Sequence, residues 1–298
     1  MRPTFERAPA KINLTLDALR RREDGYHDLQ MVMQTVSLAD MISLRGHCGE
    51  GIYVRTNLGY LPCDARNTAY LAARAFFEST GIPCDGVQIM IEKRIPVAAG
   101  LAGGSADAAA VLRALNRIYE TKLTEDALCT IGLMVGADVP YCIRGGTQLA
   151  EGVGEVLSPL SPMPPCQIVL CKPAFGMSTG RVFGALDCTA IPRHPDLSAM
   201  RRALKAGDVP AIGAALCNVL EPIAAAERGE ILKIKDLLCQ YGAVGACMSG
   251  SGSTVFGIFS DPLRAKTAQH HLRRRHRDTF LTEPVKGSEE ERSETENL

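Results

Sequence analysis

Hydrophobic and polar residues alternate through residues 10–17, AKINLTLD, with Ile12, Leu14 and Leu16 on one side and Lys11, Asn13, Thr15 and Asp17 on the other. A period of two is that of a strand with one polar face. The Asp24-Gly25 pair that follows is a tight-turn signal. The mostly apolar run YHDLQMVMQTVSLADMISL after it predicts one or two further strands. Asn67 stands as an N-cap before TAYLAARAFFES, a predicted helix. GVQIMIEKRIP alternates again, with Val87, Ile89 and Ile91 on one side, and Pro96 ends the run. From Gly104 the spacing becomes helical, and Ala108, Val111, Leu112, Leu115, Ile118 and Tyr119 make a broad apolar stripe. The middle of the chain therefore predicts a strand, a glycine loop and a helix in succession. Thr124 and EDALCTIGLMV predict another capped helix, stopped by Gly136.

The pattern breaks at SPLSPMPP, residues 158–165, where four prolines and two serines sustain neither a helix nor a central strand. A domain boundary is expected there, giving an N-terminal domain over 1–160 and a C-terminal one over 161–283. The second part predicts a buried strand QIVLC, helices near 179–187, 197–218 and 228–241, two apolar strands flanking SGSGS, and a basic helix near 262–276. Strands separated by helices suggest an α+β sandwich. The stretch 284–298, ending KGSEEERSETENL, is expected to be a disordered acidic tail.

Composition narrows the function classes. Lys plus Arg and Asp plus Glu number 33 each, so no net field draws the 298-residue chain to nucleic acid or an anionic membrane. Neither partner is expected, and the basic HHLRRRHR stretch is taken as a solvated helix face. Eleven cysteines show no C-x-x-C pair and sit mostly in apolar runs, as in a reducing cytosol. With charges where a signal peptide needs an apolar core, and no apolar run near the roughly 20 residues of a membrane span, a soluble cytoplasmic protein is expected.

The segment PVAAGLAGGSADAAAVLRAL, residues 96–115, concentrates bare backbone ahead of a helix. A helix N-terminus carries about four unpaired N–H groups and roughly half a positive charge, so this loop can cradle a phosphate. Close packing of helix on strand would also call for such small residues, and neither G-x-x-x-x-G-K-[ST] nor G-x-G-x-x-G is present. Ser105 can ligate Mg²⁺ beside a phosphate or cap the helix. Phosphoryl transfer also needs a proton acceptor and a cation. Asp138, in GADVPYC, fits the first role and equally an N-cap; Lys11, on the polar strand face with Asn13, fits the second or an ordinary exposed lysine. A second glycine-rich stretch, GACMSGSGSTVFGIF with Gly250, Ser251 and Gly252, can be a hairpin turn or part of a phosphate site.

Taken together, APAKINL, the central P-x-x-x-G-L-x-G-G-S pattern and M-S-G-S-G-S, in this order, resemble the GHMP kinase superfamily. REDGYHDLQMVMQTVSLAD, NTAYLAA, GADVPYC, GTQLAEGVGE and KPAFGMST resemble a branch whose substrate carries a cytidine diphosphate and belongs to isoprenoid precursor synthesis. The likeness spans roughly residues 8–260. It implies an α+β two-domain GHMP kinase fold, with a ribosomal-protein-like N-terminal domain and a ferredoxin-like C-terminal α/β sandwich. It implies ATP-dependent, Mg²⁺-assisted phosphorylation of the 2-hydroxyl of a cytidylated methylerythritol by a monomer or homodimer. Asp138 would be the base and Lys11 its electrostatic partner. The ATP phosphates would lie on the loop of Pro96, Val97, Ala98, Ala99, Gly100, Leu101, Ala102, Gly103, Gly104, Ser105 and Ala106, with Asn67 near the adenine. Asn13, Tyr26, His27, Thr179 and Phe183 would hold the cytidine, for which an aromatic sandwich is suited.

The chain departs from the commonest loop at Ala102, where glycine is usual, and at Ala106, where a second serine is usual. A methyl at 102 predicts ordinary backbone angles there. Two other readings stay open: another GHMP kinase acting on a small alcohol such as homoserine, and a non-catalytic RNA-binding module.

Overall fold

The computed structural model describes residues 3–287. In chain order the elements are β1 (Thr4–Arg21), β2 (His27–Arg45), β3 (Ile52–Thr56), α1 (Thr68–Thr80), β4 (Val87–Glu92), α2 (Gly103–Ile118), α3 (Glu125–Leu133), α4 (Val139–Arg144), β5 (Thr147–Gly152), β6 (Val156–Pro159) and β7 (Gln167–Lys172). There follow α5 (Thr179–Gly184), α6 (Leu197–Ala206), α7 (Val209–Ala214), β8 (Cys217–Asn218), α8 (Glu221–Glu227), α9 (Glu230–Gln240), β9 (Gly245–Met248), β10 (Val255–Phe259), α10 (Pro262–Arg273) and β11 (Asp278–Thr282).

The chain forms two compact units that interleave in sequence: Met1–Ala10, Ala39–Ile95 and Ala102–Arg144 make the first, and Lys11–Leu38, Pro96–Leu101 and Gly145–Leu298 the second. In the first, the end of β2 pairs antiparallel with β4 and β4 pairs parallel with β3. The alternation expected in β4 is present, with Val87, Ile89 and Ile91 buried and the residues between them exposed. α1 starts where Asn67 Oδ1 accepts the Ala69 N–H and stops at Gly81, whose φ of 70° L side chains rarely adopt. Its buried face, with Ala72, Ala73, Phe76 and Phe77, packs on α2. Fully burying a side chain such as Phe76 stabilises by about 1.5–3 kcal/mol.

In the second unit, β11, β7, β10 and β9 form an antiparallel sheet in that order. α9 packs on β9 and β10, and α10 on β7 and β11. The same unit pairs the start of β2 with β5, β5 with β6, and β1 with β8 in parallel register Thr15↔Cys217 and Leu16↔Asn218.

The strand expected over 10–17 is the middle of a longer one, and its polar face is not solvated: Lys11, Asn13, Thr15 and Asp17 are all buried. The run after the Asp24-Gly25 turn is one 19-residue strand. The helix expected over 197–218 is two, α6 and α7, because Gly207 takes φ 66° and Asp208 caps a new start. Residues 284 and 285 of the expected tail are ordered against the strand β2: Pro284 bridges Val36 and the Val285 N–H donates to Thr35 O at 2.9 Å. Residues 288–298 of that expectation lie outside the described residues.

Candidate active site

The glycine loop turns its carbonyls toward the protein. Within the second unit, Ala99 O accepts from Thr254 N at 3.2 Å, Gly100 O from Ser249 Oγ at 2.9 Å, and Leu101 O from Lys11 N at 3.2 Å. The N–H groups of Val97, Ala98, Ala99, Gly100 and Leu101 donate to no protein group among the described residues. φ is positive at Ala98 (51°), Gly100 (74°) and Ala102 (55°), every second residue. Alternating hand of this kind turns successive N–H groups to one side, the arrangement of backbone anion sites. Gly100 has no substitute here, because a Cβ would stand 2.1 Å from Ser249 O.

Ala102 corrects the expectation of ordinary angles: it is the N-cap of α2 in the left-handed region, with no side-chain capping bond. Such a conformation costs an L residue about 1–2 kcal/mol. The first amides of α2 are consequently left for a ligand or water. Ser105 is the third residue of α2 and not its cap, so the capping alternative falls. Among the described residues its hydroxyl makes no hydrogen bond, and it is half-buried. Gly104 O accepts from Thr68 Oγ1 at 2.7 Å, and a Cβ at Gly104 would stand 3.1 Å from that oxygen. Ala106, one residue on, is buried in the helix.

The second glycine stretch joins antiparallel β9 and β10, as a hairpin turn would, and also braces the loop through the Ser249 and Thr254 contacts just given. Asn218 holds the turn: its Nδ2 donates to Met248 O and Gly250 O, both at 2.8 Å, while its Oδ1 accepts from Leu220 N. That buried amide is fully used. Ser253 Oγ donates to Phe175 O at 2.7 Å.

Lys11 is 5% exposed, which removes the exposed-lysine alternative, and its Nζ donates to Asn13 Oδ1 at 2.7 Å. Asn13 in turn donates its N–H to Ser249 Oγ at 3.3 Å. His27 lies 5.4 Å from Phe183, ring centroid to centroid, tilted by 36°. Burial, with a smaller effect of Arg21, lowers the His27 pKa and favours the neutral ring. Its Nε2 is buried without a protein partner among the described residues. Tyr26 is 65% exposed, and Thr179 Oγ1 lies 2.9 Å from Ser251 Oγ on the glycine turn.

In the first unit, Asp138 directly precedes α4 and its carbonyl accepts the Cys142 N–H at 3.0 Å, so the following helix anticipated from the sequence is present. Asn67 is fully engaged, capping α1 with Oδ1 and donating Nδ2 to Pro62 O at 2.8 Å.

One cluster escaped sequence reading. Lys93 Nζ, buried, bonds Asp40 Oδ2 and lies 2.7 Å from Asp107 Oδ2. Asp40 Oδ1 also accepts the N–H groups of Arg94 and Ile95. Burial pushes the Asp107 carboxyl up to about 8, with Asp40 adding to the rise and Lys93 opposing it. Lys93 keeps a raised pKa although burial works against its charge, because both carboxylates favour it. The cluster ties α2 to β2 and to the chain after β4, just below Gly103, whose Cβ would come 3.3 Å from Lys93 Nζ. Its members are far apart in sequence, and only the apolar neighbours of Asp107 hinted at burial.

Comparison with known proteins supplies the family. The model of the GHMP kinases N terminal domain matches residues 67–146, and that of the GHMP kinases C terminal matches 200–278. The chain is 43% identical over 291 residues to a 4-diphosphocytidyl-2-C-methyl-D-erythritol kinase of Alkaliphilus oremlandii, covering 97% of this chain and 99% of that one. It is 48% identical over 267 residues to that of Exiguobacterium sibiricum, covering 90% and 93%. The chain belongs to the 4-diphosphocytidyl-2-C-methyl-D-erythritol kinase family of GHMP kinases. A crystal structure of a 4-(cytidine 5'-diphospho)-2C-methyl-D-erythritol kinase superposes with a TM-score of 0.81 at 35% identity, covering 96% of this chain and all of that one. A homoserine kinase from Cytophaga hutchinsonii superposes at 0.74 with 19% identity, a likeness of fold alone. The expected two-domain α+β GHMP kinase fold is thereby established.

Proposed function

We propose that this GHMP kinase transfers the γ-phosphoryl group of ATP to the 2-hydroxyl of 4-diphosphocytidyl-2-C-methyl-D-erythritol, giving the 2-phosphate and ADP, a step of non-mevalonate isoprenoid precursor synthesis. The observation that carries the phosphoryl-transfer part is the loop whose three bonded carbonyls leave consecutive N–H groups unpaired ahead of α2. Preorganised donors of this kind stabilise developing phosphate charge without reorganising during the reaction. The choice of substrate is supported by the family relationship.

In this reading Asp138 takes the hydroxyl proton and Lys11 is its electrostatic partner. The ATP phosphates rest on Pro96 to Ala106 and the adenine near Asn67. The cytosine lies by Tyr26, His27 and Phe183, with the unpaired His27 Nε2 reading its edge and Asn13 and Thr179 adding polar contacts. The turn Gly250–Ser251–Gly252 completes the phosphate site, and Ser249 and Thr254 on either side of it brace the loop.

Mg²⁺ suits the donor set. The Ser105 hydroxyl is uncommitted, and an ion that keeps several waters and phosphate oxygens needs few protein ligands. When bound with ATP it neutralises phosphate charge. No group of three or more His, Cys, Asp or Glu side chains able to hold a metal occurs among the described residues, so the phosphates themselves would carry most of the coordination.

We take the enzyme as cytoplasmic, a monomer or homodimer whose partner is the small cytidylated substrate, with family domains over 1–160 and 161–283. Free thiols at all eleven cysteines agree with a reducing compartment. No helix among the described residues is long and apolar enough to cross a membrane.

The test is an assay of the purified chain with ATP, Mg²⁺ and the cytidylated methylerythritol, beside homoserine. Turnover of the first and not the second is expected. Asp138→Asn should lower kcat by about 10²–10⁴ with ATP affinity nearly unchanged, the mark of a lost general base. Equal turnover of homoserine overturns the substrate assignment.

A further inference from the structure

Asp17 ends the buried polar face of β1, the face that begins with Lys11, and its side chain is 9% exposed. A carboxylate so placed is costly unless hydrogen-bonded. No lysine or arginine pairs with it among the described residues; instead it accepts the Ala18 N–H at 2.9 Å and lies against His194 Nδ1, at 2.8 and 3.0 Å from its two oxygens. Cys217, paired with Thr15 beside this site, places Sγ 3.8 Å from Arg193 O, so neighbouring residues of one segment meet the sheet at the same place.

That segment, residues 185–196, connects α5 to α6 without regular structure. Its internal bonds close only a local turn, Asp187 Oδ1 accepting from Thr189 N and Oγ1. α5 itself is six residues long and buries only Val182, too little to hold its own position. It is fixed ahead by the Thr179–Ser251 contact, and it carries Phe183 against His27. The anchor behind it is His194 on Asp17.

We propose that His194 is a positioning residue for the cytidine end of the substrate: held on Asp17, it restrains the 185–196 segment and so keeps Phe183 at His27. This rests on the substrate reading above. His194 touches neither the phosphate loop nor Lys11, so its effect falls on substrate binding and spares phosphoryl transfer.

Calorimetric titration with CDP, beside steady-state kinetics, tests it on wild type, His194→Ala and His194→Asn. Because the imidazole is half exposed, its removal leaves no core cavity. His194→Ala should weaken CDP binding and raise KM for the cytidylated substrate by roughly tenfold, with kcat and the KM for ATP changed by less than about twofold. His194→Asn, which keeps an N–H donor for Asp17, should recover most of the loss. Unchanged CDP affinity in His194→Ala overturns the proposal, as does equal loss in the two variants or a matching loss for ATP. A wild type that binds no CDP strikes at the substrate reading instead, so the two failures are distinct.

Discussion

Ala102 is a residue whose identity and conformation disagree. Its φ of 55° is one that glycine adopts without cost, yet the methyl is present and the loop keeps its shape. The backbone is dictated by what surrounds it: the carbonyls before it are bonded, and α2 starts directly after it. Relief of about 1–2 kcal/mol of left-handed strain, less about 0.4–1 kcal/mol for the greater freedom of glycine in the unfolded chain, predicts that Ala102→Gly stabilises, by up to about 1.6 kcal/mol. Urea unfolding followed by circular dichroism would report it as a higher midpoint with an unchanged slope. A lower midpoint would mean that the methyl contributes packing that outweighs the strain. Sequence reasoning went wrong here because it read the angle from the residue, whereas the neighbouring hydrogen bonds set the angle.

At the scale of elements, the first glycine loop and the second glycine turn act as one piece. Ser249 and Thr254 bond the loop carbonyls, Asn218 bonds the turn, and Gly100 sits where any side chain would strike Ser249 O. Gly100→Ala must push the two apart, and its φ of 74° adds strain. If the loop holds ATP as proposed, loss of the preorganised donors should weaken ATP binding by roughly tenfold or more and lower kcat further, since the same donors would then serve the transition state. Equilibrium binding of a non-hydrolysable ATP analogue gives the first effect and single-turnover kinetics the second; wild-type values for both would sink the interlock. Both glycine stretches were legible in the sequence, as were α1, β4, β7 and the Thr124-capped α3, because their signals are local: period, cap and stop. Short β8 and α8 were not, since two and seven residues carry too little period to read. Nor was the role of Asn218, whose partners lie some thirty residues away and leave no mark near it. The buried polar face of β1 was legible as alternation but not as burial, because alternation ordinarily means that one face meets water.

For the whole molecule, the Lys93 cluster makes stability depend on pH in a direction opposite to that of most carboxylates. Asp107 has its folded pKa pushed up to about 8 by burial, against an ordinary value of 3.8. Folding therefore takes up a proton between those values, and the stability linked to this group is complete below pH 3.8 and lost as pH rises through 8. Lys93, raised above 10.5, keeps its charge throughout that window and contributes no slope there. Asp107→Asn removes the titration while preserving shape and a hydrogen-bonding side chain. The expected result is that the variant loses less stability than the wild type in parallel denaturant unfolding curves, the gap between the two proteins widening as pH rises from about 6 toward 8 and changing little beyond. The Asn amide can still accept from Lys93 through its oxygen, and its nitrogen takes the place of the oxygen Oδ1 that has no protein partner among the described residues. Identical pH slopes in the two proteins would show that Asp107 is ionised in the fold, and that Lys93 balances both carboxylates by itself. A steeper fall in Asp107→Asn would show that the cluster needs its second carboxylate to keep Lys93 charged under α2.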